Sequence, residues 1–320
     1  MKSAEQTIAE AVAALDWSRE PQGLYAPIGY TLSSGGKRIR PVLALLAARM
    51  FGGQDSDVLP AALALEVFHN FTLLHDDLMD RSDMRRGRPT VHVRWGANTA
   101  VLSGDQMLIE AYSLLARVPA DRLPQVLRWF NEMATQICEG QQYDVDFEQR
   151  DDVDIRDYIH MIRLKTSVLL ANALRTGAYI AGADEQHYNT LYHIGINLGL
   201  AFQLRDDLLD VYGDPATFGK PIGGDICCNK KTYLLIDACN HAQGETAEEL
   251  RRWLRADTFR REDKIAAVTD IYNRLDVRAH VETDIEAYTQ QALGQFDTLP
   301  DCPEREQLRQ LADQLLNRTV

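Results

Sequence analysis

Two aspartate pentads carry the groups best suited to chemistry: Asp76-Asp77-Leu78-Met79-Asp80 and Asp206-Asp207-Leu208-Leu209-Asp210. Each closes a long apolar run of helical period. Grouped carboxylates repel one another and are costly beside an apolar core unless cations neutralise them. Positions three and four apart share a helix face. Glu66, His69, Leu73, Asp76 and Asp80 therefore form one stripe with Asp77 beside it, and Gln203, Asp206, Asp207 and Asp210 form another. Oxygen donors of this kind suit Mg²⁺ better than zinc or copper, and Mg²⁺ commonly bridges one or two carboxylates to substrate phosphates. A single Asp-Asp-x-x-Asp at a helix end is more often a solvated polar face. Two of them, each followed by a loop of glycine and basic residues, point to a bed for several hard cations.

Three such loops recur. Ser33 to Arg40 contains Gly35-Gly36-Lys37-Arg38, Arg81 to Thr90 contains Arg85-Arg86-Gly87-Arg88-Pro89, and Gly213 to Thr232 contains Gly219-Lys220, Gly223-Gly224-Asp225 and Lys230-Lys231. Glycine lets backbone amides approach a phosphate, and the paired cations supply charge. Lys165-Thr166 lies inside an apolar helical run, where a lysine either snorkels to water or reaches an anion in the core. Asp151-Asp152-Val153-Asp154 has a different spacing and precedes a helix, so it reads as N-terminal charge and capping. Glu66-Val67-Phe68-His69 resembles half of a di-iron motif, but no second Glu-x-x-His accompanies it. His69 reads instead as a polar group facing substrate, or as a packed structural histidine.

The elements that must position these groups are helices. Pro41 to Met50, Leu59 to Asp80, Asp105 to Arg117, Leu123 to Gly140, Ile155 to Ala181 and His187 to Tyr212 all carry helical period, and charged amphipathic helices follow Thr232. Asp154 is placed as an N-cap. Strand alternation and tight Asn-Gly turns are nearly absent. The pattern predicts an all-α fold of ten or more helices. With no Pro/Gly/Ser-rich linker, residues 1–320 read as a single domain.

Composition narrows the function classes. The chain is 45% hydrophobic, enough for a large core. A formal net charge of −13 argues against general nucleic-acid binding and against adsorption to an anionic membrane. The N-terminus reads as an amphipathic helix without a signal-peptide h-region, and no unbroken apolar stretch reaches a bilayer-spanning length. The cysteines Cys138, Cys227, Cys228, Cys239 and Cys302 lack zinc-ligand spacing and read as free thiols of a reducing cytoplasm.

In combination these motifs resemble the trans-isoprenyl diphosphate synthases of the polyprenyl synthetase family, of the short-chain type that includes geranylgeranyl and farnesyl diphosphate synthases. The resemblance runs from about Gly35 to Tyr233. It rests on Gly36-Lys37-Arg38-x-Arg40-Pro41, His75-Asp76-Asp77-x-x-Asp80, Arg85-Arg86-Gly87-x-Pro89-Thr90, Gly104-Asp105, Lys165-Thr166, Gln203-x-x-Asp206-Asp207-x-x-Asp210, Gly219-Lys220, Gly224-Asp225 and Lys230.

The resemblance implies an all-α barrel around a deep central cavity, a homodimer, and head-to-tail condensation of isopentenyl diphosphate with an allylic diphosphate. It implies three Mg²⁺ ions (or Mn²⁺) held by Asp76, Asp80 and Asp206, with Asp77, Asp207 and Asp210 in support. Arg85, Lys165, Thr166, Gln203, Lys220 and Lys230 would hold the allylic diphosphate, and Lys37, Arg40, His69 and Arg86 the isopentenyl diphosphate. Asp76, Asp77, Asp80, Lys165, Asp206 and Lys220 would carry the ionisation step, in which pyrophosphate leaves and then serves as the base.

Product length would be set just upstream of the first pentad, at Phe68, Phe71 and Thr72. Phe71, the fifth residue before Asp76, resembles the short-chain pattern, and Thr72 leaves room. The expectation is a C15 to C20 product, leaning to geranylgeranyl diphosphate, with farnesyl diphosphate as the alternative. Terpene cyclases usually carry an Asn/Asp-Ser/Thr-Glu metal motif and need no second diphosphate site. A non-catalytic synthase subunit typically loses motif residues that this chain keeps, and a plain helical scaffold would bind no diphosphate.

Overall fold

The structure, a computed structural model, describes residues 2–214 and 222–316. Packing divides the chain into two compact units. The first comprises Met1–Asn131, Asn172–Tyr192 and Leu299–Leu308, and the second Glu132–Ala171, His193–Thr298 and Arg309–Val320.

The described residues are mostly helical, as the periodicity predicts. In the first unit, α1 (Ala4–Ala13), α2 (Gln22–Ser33) and α3 (Ile39–Met50) precede α4 (Asp55–Met79), which carries the first pentad. Helix α4 packs on α3 and on α6 (Ala97–Leu115), with the short α5 (Val91–Trp95) leading into the latter. Its buried face includes Leu63, Leu65, Val67 and Phe68, each contributing about 1.5–3 kcal/mol when fully removed from water. The helix begins four residues earlier than the sequence suggests, because Asp55 and Asp57 complement the helix N-terminus while Pro60 sits inside, not at the start. Where the sequence reading expects no segment able to cross a bilayer, α4 meets that test by length and composition. However, 67% of the relevant window is buried inside the protein.

One local strand pairing was not expected. Met84–Arg85 and Arg88–Pro89 form a two-residue antiparallel hairpin. Its turn residues, Arg86 and Gly87, have φ of 51° and 72°. Positive φ at both central positions matches the twist of a tight hairpin. Arginine at the first of them hid the turn from a search for Asn-Gly.

Helix α7 (Leu123–Phe147) extends past Gly140, where the sequence suggested a stop. The long run from Ile155 is interrupted. It comprises α8 (Ile155–Ile162), a π-helical turn at Arg163–Ser167 and α9 (Val168–Ile180). Asp154 caps α8 as expected, accepting from the Asp157 amide at 2.8 Å. Helix α10 (Glu185–Tyr212) carries the second pentad, followed by α11 (Gly224–Cys227), α12 (Tyr233–His241), α13 (Gly244–Leu254), α14 (Arg261–Arg274), α15 (Val277–Phe296) and α16 (Pro303–Leu316). In the second unit α12 packs on both α8 and α15.

Candidate active site

The first pentad ends α4. Asp77 is buried and takes a two-pronged hydrogen bond from Arg85 Nε, at 2.7 Å to Oδ1 and 2.8 Å to Oδ2. Burial raises its carboxyl above the usual range, Arg85 pulls the other way, and Asp76 adds to the rise. Arg85 Nη2 lies 4.0 Å from Asp76 Oδ2. The hairpin therefore spends Arg85 on the inner aspartate, while Asp76 is half-buried and Asp80, which caps the helix, is exposed.

Two and nearly three turns upstream on α4, at His69 and Glu66, lies a cluster of opposite character. Burial drives Arg40 down to about 10, with Glu66 opposing and Arg86 reinforcing. Its Nε is buried without a hydrogen-bond partner. Arg86 is lowered chiefly by burial and also feels Glu66 and Arg85. His69 is held well below its ordinary value by burial and by Arg40, Arg86 and Arg85, so it is neutral at physiological pH.

Glu66 supplies the countercharge. It accepts from Asn70 Nδ2 at 3.1 Å, which fixes its orientation. The Arg86 guanidinium donates through Nη1 to the Gly35 carbonyl. Gly36 has φ 121°, a conformation in which a side chain would be strained, and a Cβ there would stand 2.7 Å from that guanidinium and displace it. The glycine pair thus lets the Lys37-Arg38 loop close over Arg86, leaving Lys37 exposed and Arg40 on the first turn of α3. The structure thus brings Arg40, His69 and Arg86 together, with Glu66 among them. An orphaned guanidinium N–H beside a second arginine and a neutral imidazole suits an anion with several oxygens.

Upstream of Asp76 the aromatic residues form a connected stack. Phe68 meets Phe71 with ring centroids 5.5 Å apart and Phe130 at 5.1 Å. Phe71 meets His75 at 4.9 Å, and Tyr112 meets Phe130 at 5.2 Å. Phe68 is fully buried, whereas Phe71 and Thr72 are partly exposed. Phe68 is therefore the buried middle of the stack, between Phe71 and Phe130. Phe130 and Tyr112, which carry no motif, join it through tertiary packing alone.

The second pentad, in the other unit, repeats the division between inner and outer carboxylates. Asp207 is buried. Tyr158 donates its hydroxyl to Oδ2, and Gln203 Nε2 donates to Oδ1 at 3.1 Å. Thr166 Oγ1 donates to Gln203 Oε1 at 3.2 Å, so Thr166, Gln203, Asp207 and Tyr158 form one chain of hydrogen bonds. Burial, with Asp225 as the neighbouring charge, pushes Asp207 up to about 8 despite those donors and Lys230. Asp206 and Asp210 are half-buried. Asp210 accepts the Asp225 amide at 3.0 Å and so ties down the Gly223-Gly224-Asp225 loop.

Asp144 is a site residue that sequence reasoning missed. Its Oδ2 accepts from Lys165 Nζ at 2.6 Å and lies 3.8 Å from Lys230 Nζ. Burial opposes its ionisation, but Lys230 and Lys165 together hold its carboxyl below the usual range. Lys165 and Thr166 sit on the π turn, an irregularity that often marks functional sites. Gly140 makes that turn accessible to α7, since a Cβ there would collide with the Lys165 backbone nitrogen. The spacing of Gly140 and Asp144, one helical turn, was the available signal. Lys220 lies outside the described residues, as does Gly219.

The donor set fits Mg²⁺. The pentads offer carboxylate oxygens and no thiolate or imidazole. Their outer members, Asp76, Asp80, Asp206 and Asp210, are more accessible than the inner pair, which protein donors engage.

Residues 21–272 match the family model described as polyprenyl synthetase. Among curated proteins, the geranylgeranyl diphosphate synthase of Methanosarcina mazei is 36% identical over 304 residues, covering 93% of this chain and 90% of that protein. The geranylfarnesyl diphosphate synthase of Natronomonas pharaonis is 35% identical over 333 residues, covering 98% and 95%. Among solved structures, one described as a geranylgeranyl pyrophosphate synthase is 45% identical, with a TM-score of 0.93 over 99% of this chain and 98% of that one.

Proposed function

This chain belongs to the polyprenyl synthetase family and is a short-chain prenyltransferase, and we propose that it condenses isopentenyl diphosphate with allylic diphosphates of C5 to C15 to give geranylgeranyl diphosphate as its main product. The observation that carries this reading is the cluster of Arg40, Arg86 and His69 beside the first pentad, with the buried Arg40 Nε unpartnered. A cyclase acts on one diphosphate and has no use for such a group. An elongating enzyme needs a seat for a second diphosphate, here completed by Lys37.

Asp76, Asp80, Asp206 and Asp210 would hold Mg²⁺, three ions in all with substrate. Bound there, the metal would neutralise the charge that develops on departing pyrophosphate. The inner aspartates act through fixed hydrogen bonds: Arg85 anchors Asp77, and Tyr158 with Gln203 anchors Asp207. Arg85, Lys165, Thr166, Gln203 and Lys230 serve the allylic diphosphate, and Lys220 is assigned to the same task. Apolar and aromatic side chains exclude water from the allylic cation. Pyrophosphate takes up the proton lost after carbon–carbon bond formation, so no separate side-chain base is required.

Residues 1–320 act as one catalytic domain. A second copy of the chain is the expected partner, since α6 leaves Val101, Leu102, Ile109 and Tyr112 exposed. All five cysteines are free, which suits a reducing cytoplasm.

Calorimetric titration of isopentenyl diphosphate into the enzyme tests the second-diphosphate reading. Arg40→Ala removes one charge-assisted donor and should weaken binding about 10–100-fold. Unchanged affinity would remove Arg40 from the site. For product length, Phe71 is the controlling residue and Thr72 the small neighbour that leaves space, with Phe68 supporting both from the core. Phe71→Ala should shift the product, resolved by chromatography, from C20 to C25 or longer; an unaltered C20 product would mean that Phe71 does not set length.

A further inference from the structure

A second cluster of ligand-type side chains lies on α12 and α15, away from every motif used above. Asp237 and His241 stand one turn apart on α12, and His280 projects from α15, which packs against it. Asp237 is buried, its side chain only 3% exposed, and each of its oxygens faces a different imidazole. Oδ2 is 2.8 Å from His280 Nδ1, and Oδ1 is 3.3 Å from His241 Nδ1. His241 Nδ1 also lies 2.9 Å from the Asp237 carbonyl. The imidazole centroids are 4.9 Å apart, and one ligand atom from each of the three residues lies within 4.8 Å of the others.

We propose that Asp237, His241 and His280 form a site for a divalent transition-metal ion of the zinc class, distinct from the Mg²⁺ carboxylates. Two nitrogen donors and one carboxylate are a donor set for Zn²⁺ and a poor one for Mg²⁺. Bonds of about 2.0 Å to a tetrahedral ion place its ligand atoms about 3.3 Å apart; the three ligand atoms here lie within 4.8 Å of one another, so the side chains would draw together around the ion. A divalent ion would bind the neutral rings through the Nδ1 atoms that now face Asp237, with the ring protons on the outer Nε2 atoms. The histidine side chains are 52% and 41% exposed, so an ion can enter from solvent and keep a water in the fourth position.

Tyr233, on α12, donates to Asp284, on α15, at 2.9 Å. The metal would replace the His280–Asp237 contact with a stronger second tie between the same helices. Helix α12 starts directly after Lys230-Lys231-Thr232, so the ion would brace the element that follows the basic loop.

The test uses the full chain, stripped of metal with a chelator, in excess Mg²⁺ to occupy the pentads. Calorimetric titration with Zn²⁺ should show one saturable equivalent per chain. Co²⁺ titration should produce the visible absorption of a tetrahedral nitrogen–oxygen site. His241→Ala and His280→Ala, with unchanged circular dichroism and Mg²⁺-supported prenyl transfer, should each weaken Zn²⁺ at least about 100-fold and abolish the Co²⁺ bands. Absence of saturable Zn²⁺ binding would overturn the proposal. So would binding that persists unchanged in both variants, since the ion would then sit on the aspartates.

Discussion

Asp76→Ala and Asp206→Ala should each lower kcat about 100–1,000-fold while leaving the fold intact. Each removes a carboxylate of the accessible kind, one from each pentad. The magnitude follows from losing stabilisation of a leaving group whose charge rises as the bond breaks, an effect worth about 3–4 kcal/mol per well-placed group. Stability should hardly change, because removing one of several clustered carboxylates relieves repulsion as well as losing contacts. Asp77→Asn is the informative contrast. It cancels the charge that faces Arg85, so thermal stability should fall more and kcat less than in Asp76→Ala. Steady-state kinetics with saturating Mg²⁺, read beside melting curves, separates the two roles. Equal loss of kcat in all three variants, with no difference in stability, would contradict the division into outer metal-holding and inner anchored aspartates.

Asp144→Asn should lower kcat about 10–100-fold although Asp144 lies in neither pentad. Its carboxylate is the shared acceptor of Lys165 and Lys230. The amide keeps the shape but loses the charge that draws both ammonium groups to one place. A misplacement of about 1 Å in a group that binds the reacting diphosphate is enough for such a loss. Two lysines that have lost Asp144 still attract a polyanion, so KM for the allylic substrate should change less than kcat. If KM rises steeply while kcat stays at the wild-type value, Asp144 contributes to binding alone. If neither changes, the lysines do not depend on it.

How far these groups could be read from sequence differs by residue, for physical reasons. Helical period and apolar runs are local properties, so the helices bearing both pentads were legible, with ends displaced by a few residues. The outer aspartates were equally plain, because i, i+4 spacing of like charges is visible without a fold. The partners of the inner aspartates were not. Tyr158 and Asp207 are 49 positions apart, and nothing in a lone tyrosine announces a buried carboxylate acceptor. Asp144 was missed for a related reason: its partner Lys165 lies 21 positions away, and its one-turn spacing from Gly140 does not by itself mark a site. Glu66 was seen on its stripe but had no role until Arg40 and Arg86 closed around it.

Backbone irregularities formed a second class of omission. The π turn presenting Lys165 lies in a sequence that reads as uninterrupted helix. The hairpin at Arg86-Gly87 uses an arginine where turn chemistry favours asparagine. Both place basic residues of the candidate site, so the locally unfavourable choices fall where function would repay them.

The central claim is that this chain elongates, joining two diphosphate substrates. The most direct measurement is release of pyrophosphate and product by the purified enzyme in Mg²⁺, with each allylic starter in turn and isopentenyl diphosphate present or withheld. Pyrophosphate should appear only when both substrates are present, and a C20 prenyl diphosphate should accumulate. Pyrophosphate and a hydrocarbon formed from an allylic diphosphate alone would contradict it.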